Sequence, residues 1–107
     1  MVDDLTVDEA LRALVVERDW EQFHSPANLA KSIAIEAGEL LQCFQWSEES
    51  PRDRVVEELA DVLTYARLLA ARLEVDPDQI VLDKLAVTEK KYPVDRARGS
   101  SARYDEV

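Results

Sequence analysis

Two stretches of the chain, 28–46 and 55–73, repeat one pattern: an apolar stripe at helical spacing with a pair of acids on its flank. At roughly 100° per residue, Leu29, Ile33, Leu40 and Phe44 fall within an arc of about 60°. Glu36 projects within about 20° of Leu29, and Glu39 lies about 60° further round. The second stretch carries Val55, Leu59, Val62, Leu63, Ala66, Leu69, Ala70 and Leu73 as its stripe, with Glu58 and Asp61 on the flank. Tyr65 and Arg72 continue that flank, whereas Glu57 points about 100° away from Glu58, toward solvent or behind the residues of the site. A carboxylate aimed at apolar neighbours is costly unless something positive meets it. Exposed acids that snorkel to water would account for one such pair, but two on consecutive helices are a stronger signal. An antiparallel hairpin would let Glu36, Glu39, Glu58 and Asp61 converge. Four oxygen ligands with no His or Cys among them favour a hard cation such as Mg²⁺.

The rest of the chain reads as helical as well. Thr6-Val-Asp-Glu9 has the form of a capping box, and Ala10, Leu11, Leu14 and Val15 give a first helix a modest apolar face up to about Trp20. Ser25-Pro26, Ser50-Pro51 and Asp76-Pro77 each read as an N-cap followed by a first-turn proline. A fourth helix is expected from about Pro77 to Lys91, with Ile80, Leu82, Leu85 and Val87 available for packing. Beyond about Val94 the polar, charged tail is expected to be extended or mobile unless a ligand or neighbouring subunit holds it. This is an all-α, four-helix reading, with no strand-like alternation to compete with it.

With 107 residues, the chain is expected to form one domain over 1–107, small enough that oligomerisation would help it. Its net charge of −10 argues against nucleic-acid and anionic-membrane binding. Cys43, the single cysteine, excludes an intrachain disulfide and reads as a small buried residue. With no apolar run long enough to span a bilayer and no basic-then-apolar leader, a soluble cytoplasmic protein is expected. A helical interaction module with solvated acids stays open as a reading. A ferritin-like di-iron bundle is disfavoured, since that site needs Glu-x-x-His and none of these helices carries a His.

Glu36-Ala-Gly-Glu39 followed by Glu58-Leu-Ala-Asp61 resembles the signature of the MazG-like all-α nucleotide pyrophosphohydrolases. The run Arg18-Asp19-Trp20-Glu21-Gln22-Phe23-His24, the later Phe44-Gln45-Trp46 and the closing Lys91-Tyr92-Pro93 resemble the dCTP pyrophosphatase branch of that superfamily. The likeness runs from about residue 5 to the end of the chain. It implies a MazG-like four-helix bundle assembled as a dimer, or as a tetramer of two dimers, with the nucleotide pocket shared between chains. It also implies Mg²⁺-dependent cleavage of a deoxynucleoside triphosphate between the α- and β-phosphorus, as nucleotide-pool house-cleaning. In that picture dCTP or a 5-modified relative is favoured, with a broader dNTP or dUTP activity as runner-up and Mn²⁺ as a substitute metal. Glu36, Glu39, Glu58 and Asp61 then hold the metal and act in catalysis. By the same resemblance Trp20, Glu21, Gln22, Phe23, His24, Trp46 and Tyr65 contact the substrate, and Lys84 lies near the triphosphate. On the residues alone, Trp20 and Phe23 serve equally as a hydrophobic plug at the end of the first helix. Trp46, by helical phase, falls beside Glu39, where its ring offers a stacking platform. The chain departs from the pattern it resembles at Leu11, where the animal dCTP pyrophosphatases carry a histidine, and at Thr88, where many members carry asparagine.

Overall fold

The computed structural model describes residues 4–103 together with 105 and 106. Its helices are α1 (Val7–Glu17), α2 (Pro26–Gln42), α3 (Arg52–Arg72), α4 (Pro77–Lys91) and the one-turn α5 (Val94–Ala97), with a 3₁₀ turn at Glu21–Phe23. No strand occurs among the described residues, so the fold is all-α as the periodicity implies.

The caps explain most of the boundaries. At α1 the Thr6 hydroxyl accepts from the Glu9 amide at 3.1 Å and donates to the Glu9 carboxylate at 3.0 Å. Ser25 Oγ accepts from the Asn28 amide at 3.1 Å, and Pro26 opens α2, where a missing N–H costs nothing. Asp76 Oδ1 takes the amides of Asp78 and Gln79 at 2.9 and 3.3 Å.

The third Ser-Pro signal behaves differently. Pro51 itself takes the N-cap position with ψ 127°, its carbonyl accepts from Val55 at 3.2 Å, and α3 begins one residue later than expected. Ser50 Oγ is consequently left buried, without a hydrogen-bond partner among the described residues. Two other ends fall short of the sequence expectation. The first helix stops at Glu17 rather than near Trp20, because Asp19 turns into the left-handed region at φ +53°. The second stops at Gln42, where the Cys43 amide reaches back to Leu40 and Leu41 and tightens the last turn. Phe44 and Trp46 therefore lie past the helix, and helical phase does not govern where they point.

The chain forms two compact units, divided after Glu74. In the first unit α2 and α3 form an antiparallel hairpin: Leu40 and Phe44, late in the chain's second helical stretch, share an apolar groove with Val55 and Leu59, early in α3. α1 packs on α3, tied to it by the Asp8–Arg67 ion pair at 3.2 Å. The buried apolar side chains are Val15, Leu29, Cys43 and Ala70, with Leu29 only 1% exposed. Cys43 is thus the small core residue its position suggested. The α3 stripe is wider than α2 covers: Leu59, Leu63 and Leu73 remain exposed.

In the second unit α4 spans the expected range, but its Ile80, Val81, Leu82, Leu85 and Val87 are all exposed. The tail is not simply extended, because Pro93 fixes the start of α5 and accepts from the Arg96 and Ala97 amides at 3.0 and 2.9 Å. No helix among the described residues is long and apolar enough to cross a membrane.

The two Ser-Pro starts provide a direct comparison. Ser25→Ala removes a cap and is expected to lower unfolding free energy by about 1 kcal/mol. Ser50→Ala removes a buried hydroxyl that bonds to nothing, so stability should hold or rise slightly. Urea melts of both variants beside the parent check this; equal losses would contradict the capping assignment.

Candidate metal centre

The hairpin places the second half of α2 against the first half of α3, and this brings three of the sequence-predicted carboxylates together. Glu36, Glu58 and Asp61 each offer an oxygen within 4.8 Å of the others. Glu36 and Glu58 are half-buried, and Asp61 is exposed. Glu39 lies one turn past Glu36, exposed and outside that group. Its charge still reaches Glu36. Glu57 is exposed, as its helical phase implies.

Burial and crowded like charges act together on Glu36. Burial pushes the Glu36 carboxyl above the ordinary glutamate value of 4.5, and the charges of Asp61, Glu58 and Glu39 push it the same way. A divalent cation relieves this directly. Two oxygens on one Mg²⁺, each at about 2.1 Å, stand at most about 4.2 Å apart, so the observed cluster needs only a small closure to share an ion. An all-oxygen donor set of this kind fits Mg²⁺, Mn²⁺ or Ca²⁺ better than softer metals.

The remaining predicted residues divide into four groups. Tyr65, half-buried, sits one turn beyond Asp61 on α3. Glu21 and half-buried His24 line a cleft of roughly 460 Å³ with Asp8, Leu11 and Arg12 of α1 and with Arg67, Leu68 and Arg72 of α3. Trp20, Gln22, Phe23 and Trp46 are exposed and line neither that cleft nor the apolar groove between α2 and α3. Trp20 carries the Arg18 guanidinium 5.7 Å from its ring centre, and Gln22 donates to the Asp19 carbonyl and carboxylate at 3.0 and 3.1 Å. Trp46 is 90% exposed. Lys84 is an exposed α4 residue in the second unit.

Sequence reasoning passed over Arg12 and Arg67. The available signal was the i, i+3, i+4, i+7 spacing of Asp8, Leu11, Arg12 and Val15, a face of α1 that mixes charge with apolar side chains.

Fold and cluster together define an all-α protein whose facing helices present a carboxylate set suited to a divalent cation. The chain belongs to the MazG-like family, whose model matches residues 31–107. It is 45% identical to dCTP pyrophosphatase 1 of Bos taurus over 101 residues, covering 85% of this chain and 60% of that protein. Identity to dCTP pyrophosphatase 1 of Homo sapiens is 46% over 101 residues, with 85% and 59% covered. The chain thus spans about 60% of the length of these curated relatives. A crystal structure of a pyrophosphatase from Archaeoglobus fulgidus DSM 4304 superposes with a TM-score of 0.75 at 40% identity, covering 78% of this chain and 86% of the other.

The raised Glu36 proton affinity sets a pH dependence for the metal-free fold. The folded chain holds that proton to higher pH than the unfolded chain does. Stability from this group is therefore fully present below the unfolded value near 4.5 and is lost as pH rises through the folded one. In EDTA at neutral pH, Glu36→Gln is expected to melt above the parent, with the difference disappearing in acid. A variant melting below the parent across the whole range would contradict the repulsion described here.

Proposed function

We propose that the protein is a nucleoside triphosphate pyrophosphohydrolase that converts dCTP, or a 5-modified dCTP, to the monophosphate and pyrophosphate. The observation that carries this reading is the carboxylate cluster of Glu36, Glu58 and Asp61, present in a chain 45% identical to a dCTP pyrophosphatase. In this reading Glu36, Glu58 and Asp61 hold Mg²⁺, and Glu39 completes the set from the same helix as Glu36. Bound there, the cation would neutralise phosphate oxygens and stabilise charge on the departing pyrophosphate.

The chain's own part is positional. The hairpin holds acidic oxygens on a rigid helical frame, where one can take the proton of a water attacking the α-phosphorus as the bond to the bridging oxygen breaks. Because four close carboxylates repel one another, the site gathers its cation before it can gather a phosphate. Trp20, Phe23 and Trp46 present flat apolar surface suited to stacking on a base, and Tyr65 and His24 add polar groups. Lys84 is placed near the triphosphate by resemblance alone.

Self-association belongs to the same reading. α4 exposes five large apolar residues, and the hairpin leaves Leu41, Phe44, Leu59 and Leu63 exposed. A helix of 15 residues with no buried side chain is marginal by itself in water. A homodimer, or a tetramer of two dimers, acting in the cytoplasm would cover these faces and give Trp46 a setting that one chain does not. Light scattering is expected to return two or four times 12.2 kDa; a monomer at micromolar concentration would remove this part.

The catalytic test is pyrophosphate release from a dNTP panel with and without Mg²⁺. Glu36→Gln and Asp61→Asn should each cost roughly 10²-fold or more in kcat/KM, the several kcal/mol a bound cation contributes. Glu57→Gln should leave turnover near the parent. Full activity in EDTA, or loss in Glu57→Gln with none in Glu58→Gln, would refute the assignment. Trp46→Ala should weaken nucleotide binding by about five- to 150-fold, the cost of roughly 1–3 kcal/mol for one stacked base.

A further inference from the structure

The link between α1 and α2 is anchored at both ends and exposed in the middle. Val15 near the end of α1 and Leu29 early in α2 are buried. Between them the 3₁₀ turn Glu21–Phe23 buries no side chain, so apolar packing does not set its shape. Hydrogen bonds do. The Asp19 and Trp20 amides reach back to the Val16 and Val15 carbonyls at 3.1 and 3.0 Å, a double closure that usually puts glycine at its left-handed position. Here Asp19 takes that position at φ +53°, a costly conformation for a residue with a side chain.

Two carboxamides hold this link from its opposite ends. Gln22 Nε2 donates to the Asp19 carbonyl at 3.0 Å and to the Asp19 carboxylate at 3.1 Å, which spends both of its N–H donors. Asn28 Nδ2 donates to the Phe23 carbonyl at 3.0 Å, while its own backbone amide is held by Ser25 Oγ at 3.1 Å. Glu21 and His24, which line the cleft of α1 and α3, stand between these two ties. An exposed segment without them would have to be ordered at the moment of binding, and that ordering subtracts from affinity.

Resting on the pyrophosphohydrolase reading above, we infer that Asn28 and Gln22 are positioning residues that staple the α1–α2 link, Asn28 to α2 and Gln22 to the end of α1. The link is then set before a nucleotide arrives, with Trp20, Phe23 and His24 already in place. Gln22, whose place in the sequence resembles a substrate contact, has no N–H left to offer one. Loss of either staple lowers the fraction of molecules ready to bind, which raises KM and leaves the chemical step alone.

Asn28 permits a variant that separates positioning from stability. It is the third residue of α2, where a negative charge favours the helix terminus. Asn28→Asp therefore keeps the shape and the helix, yet puts an oxygen in place of the N–H that faces the Phe23 carbonyl. Gln22→Glu does the same opposite Asp19. Parent and both variants are assayed with Mg²⁺ and dCTP, and each is measured for melting temperature and Mg²⁺ affinity. Exchange of the Phe23 and His24 amides, both bonded within the turn, is followed by NMR on the nucleotide-free protein.

In each variant KM is expected to rise about three- to fivefold, with kcat, Mg²⁺ affinity and melting temperature near the parent values. The two amides should exchange about fivefold faster without nucleotide, the factor that one lost hydrogen bond of ordinary strength allows. Exchange within α1 and α2 should hold. A rise in KM with unchanged exchange overturns the inference, because the carboxamides would then touch the nucleotide directly. Unchanged KM in both variants overturns it as well, and so does faster exchange throughout α1 and α2 with a lowered melting temperature. All three of those results leave the pyrophosphohydrolase standing. A parent protein that releases no pyrophosphate from any dNTP overturns the reading beneath and this inference together.

Discussion

Repulsion among carboxylates that the fold itself forces together is the constraint on which the rest of the first unit turns. Glu36 stands on α2 and Glu58 and Asp61 on α3, which pack together, and Leu29 of α2 and Cys43 just past it are buried. Hydrophobic burial holds the hairpin closed, and electrostatics works against it at one spot. Burial first, and then the charges of Asp61, Glu58 and Glu39, raise the proton affinity of Glu36. A divalent cation resolves the conflict, so the same geometry that strains the metal-free chain makes it a receptor for positive charge. The chain's net charge of −10 fits a site suited to a cation.

The small core explains why so much apolar surface is left over. Only four apolar side chains are buried among the described residues, and the stripes on α3 and α4 are broader than anything packed against them. A chain of this size has a high ratio of surface to volume and gains from sharing its faces. The α2–α3 groove lined by Leu40, Leu41, Phe44, Val55 and Leu59 and the exposed face of α4 are surfaces of that kind.

Much of the architecture was legible from residue pattern because helices are local objects. The spacing of Leu29, Ile33 and Leu40 and the Asp76-Pro77 start each depend on residues within a turn or two. The errors have equally local physical causes. Ser50-Pro51 looks like Ser25-Pro26, yet the backbone at Pro51 remains extended and the helix begins a residue later. Phe44 and Trp46 were phased as helical, but the Cys43 amide closes the helix before them. Asp19, a non-glycine residue at positive φ, ends α1 where apolar spacing alone gives no stop.

What the sequence by itself determined is the class of fold, the two acid pairs on apolar flanks, and the family likeness those pairs carry. Each follows from periodicity or from residue identity, which need no knowledge of distant neighbours. Only the tertiary structure decided which acids share a site: Glu36, Glu58 and Asp61 lie within 4.8 Å, and Glu39 stands outside that group. It also created the cleft that Arg12, Arg72, Glu21 and His24 line together, with Asp8 and Arg67 joined across 59 residues. Those meetings depend on how α1 and α3 pack, and packing is set by side-chain shape across the whole hairpin rather than by spacing along the chain.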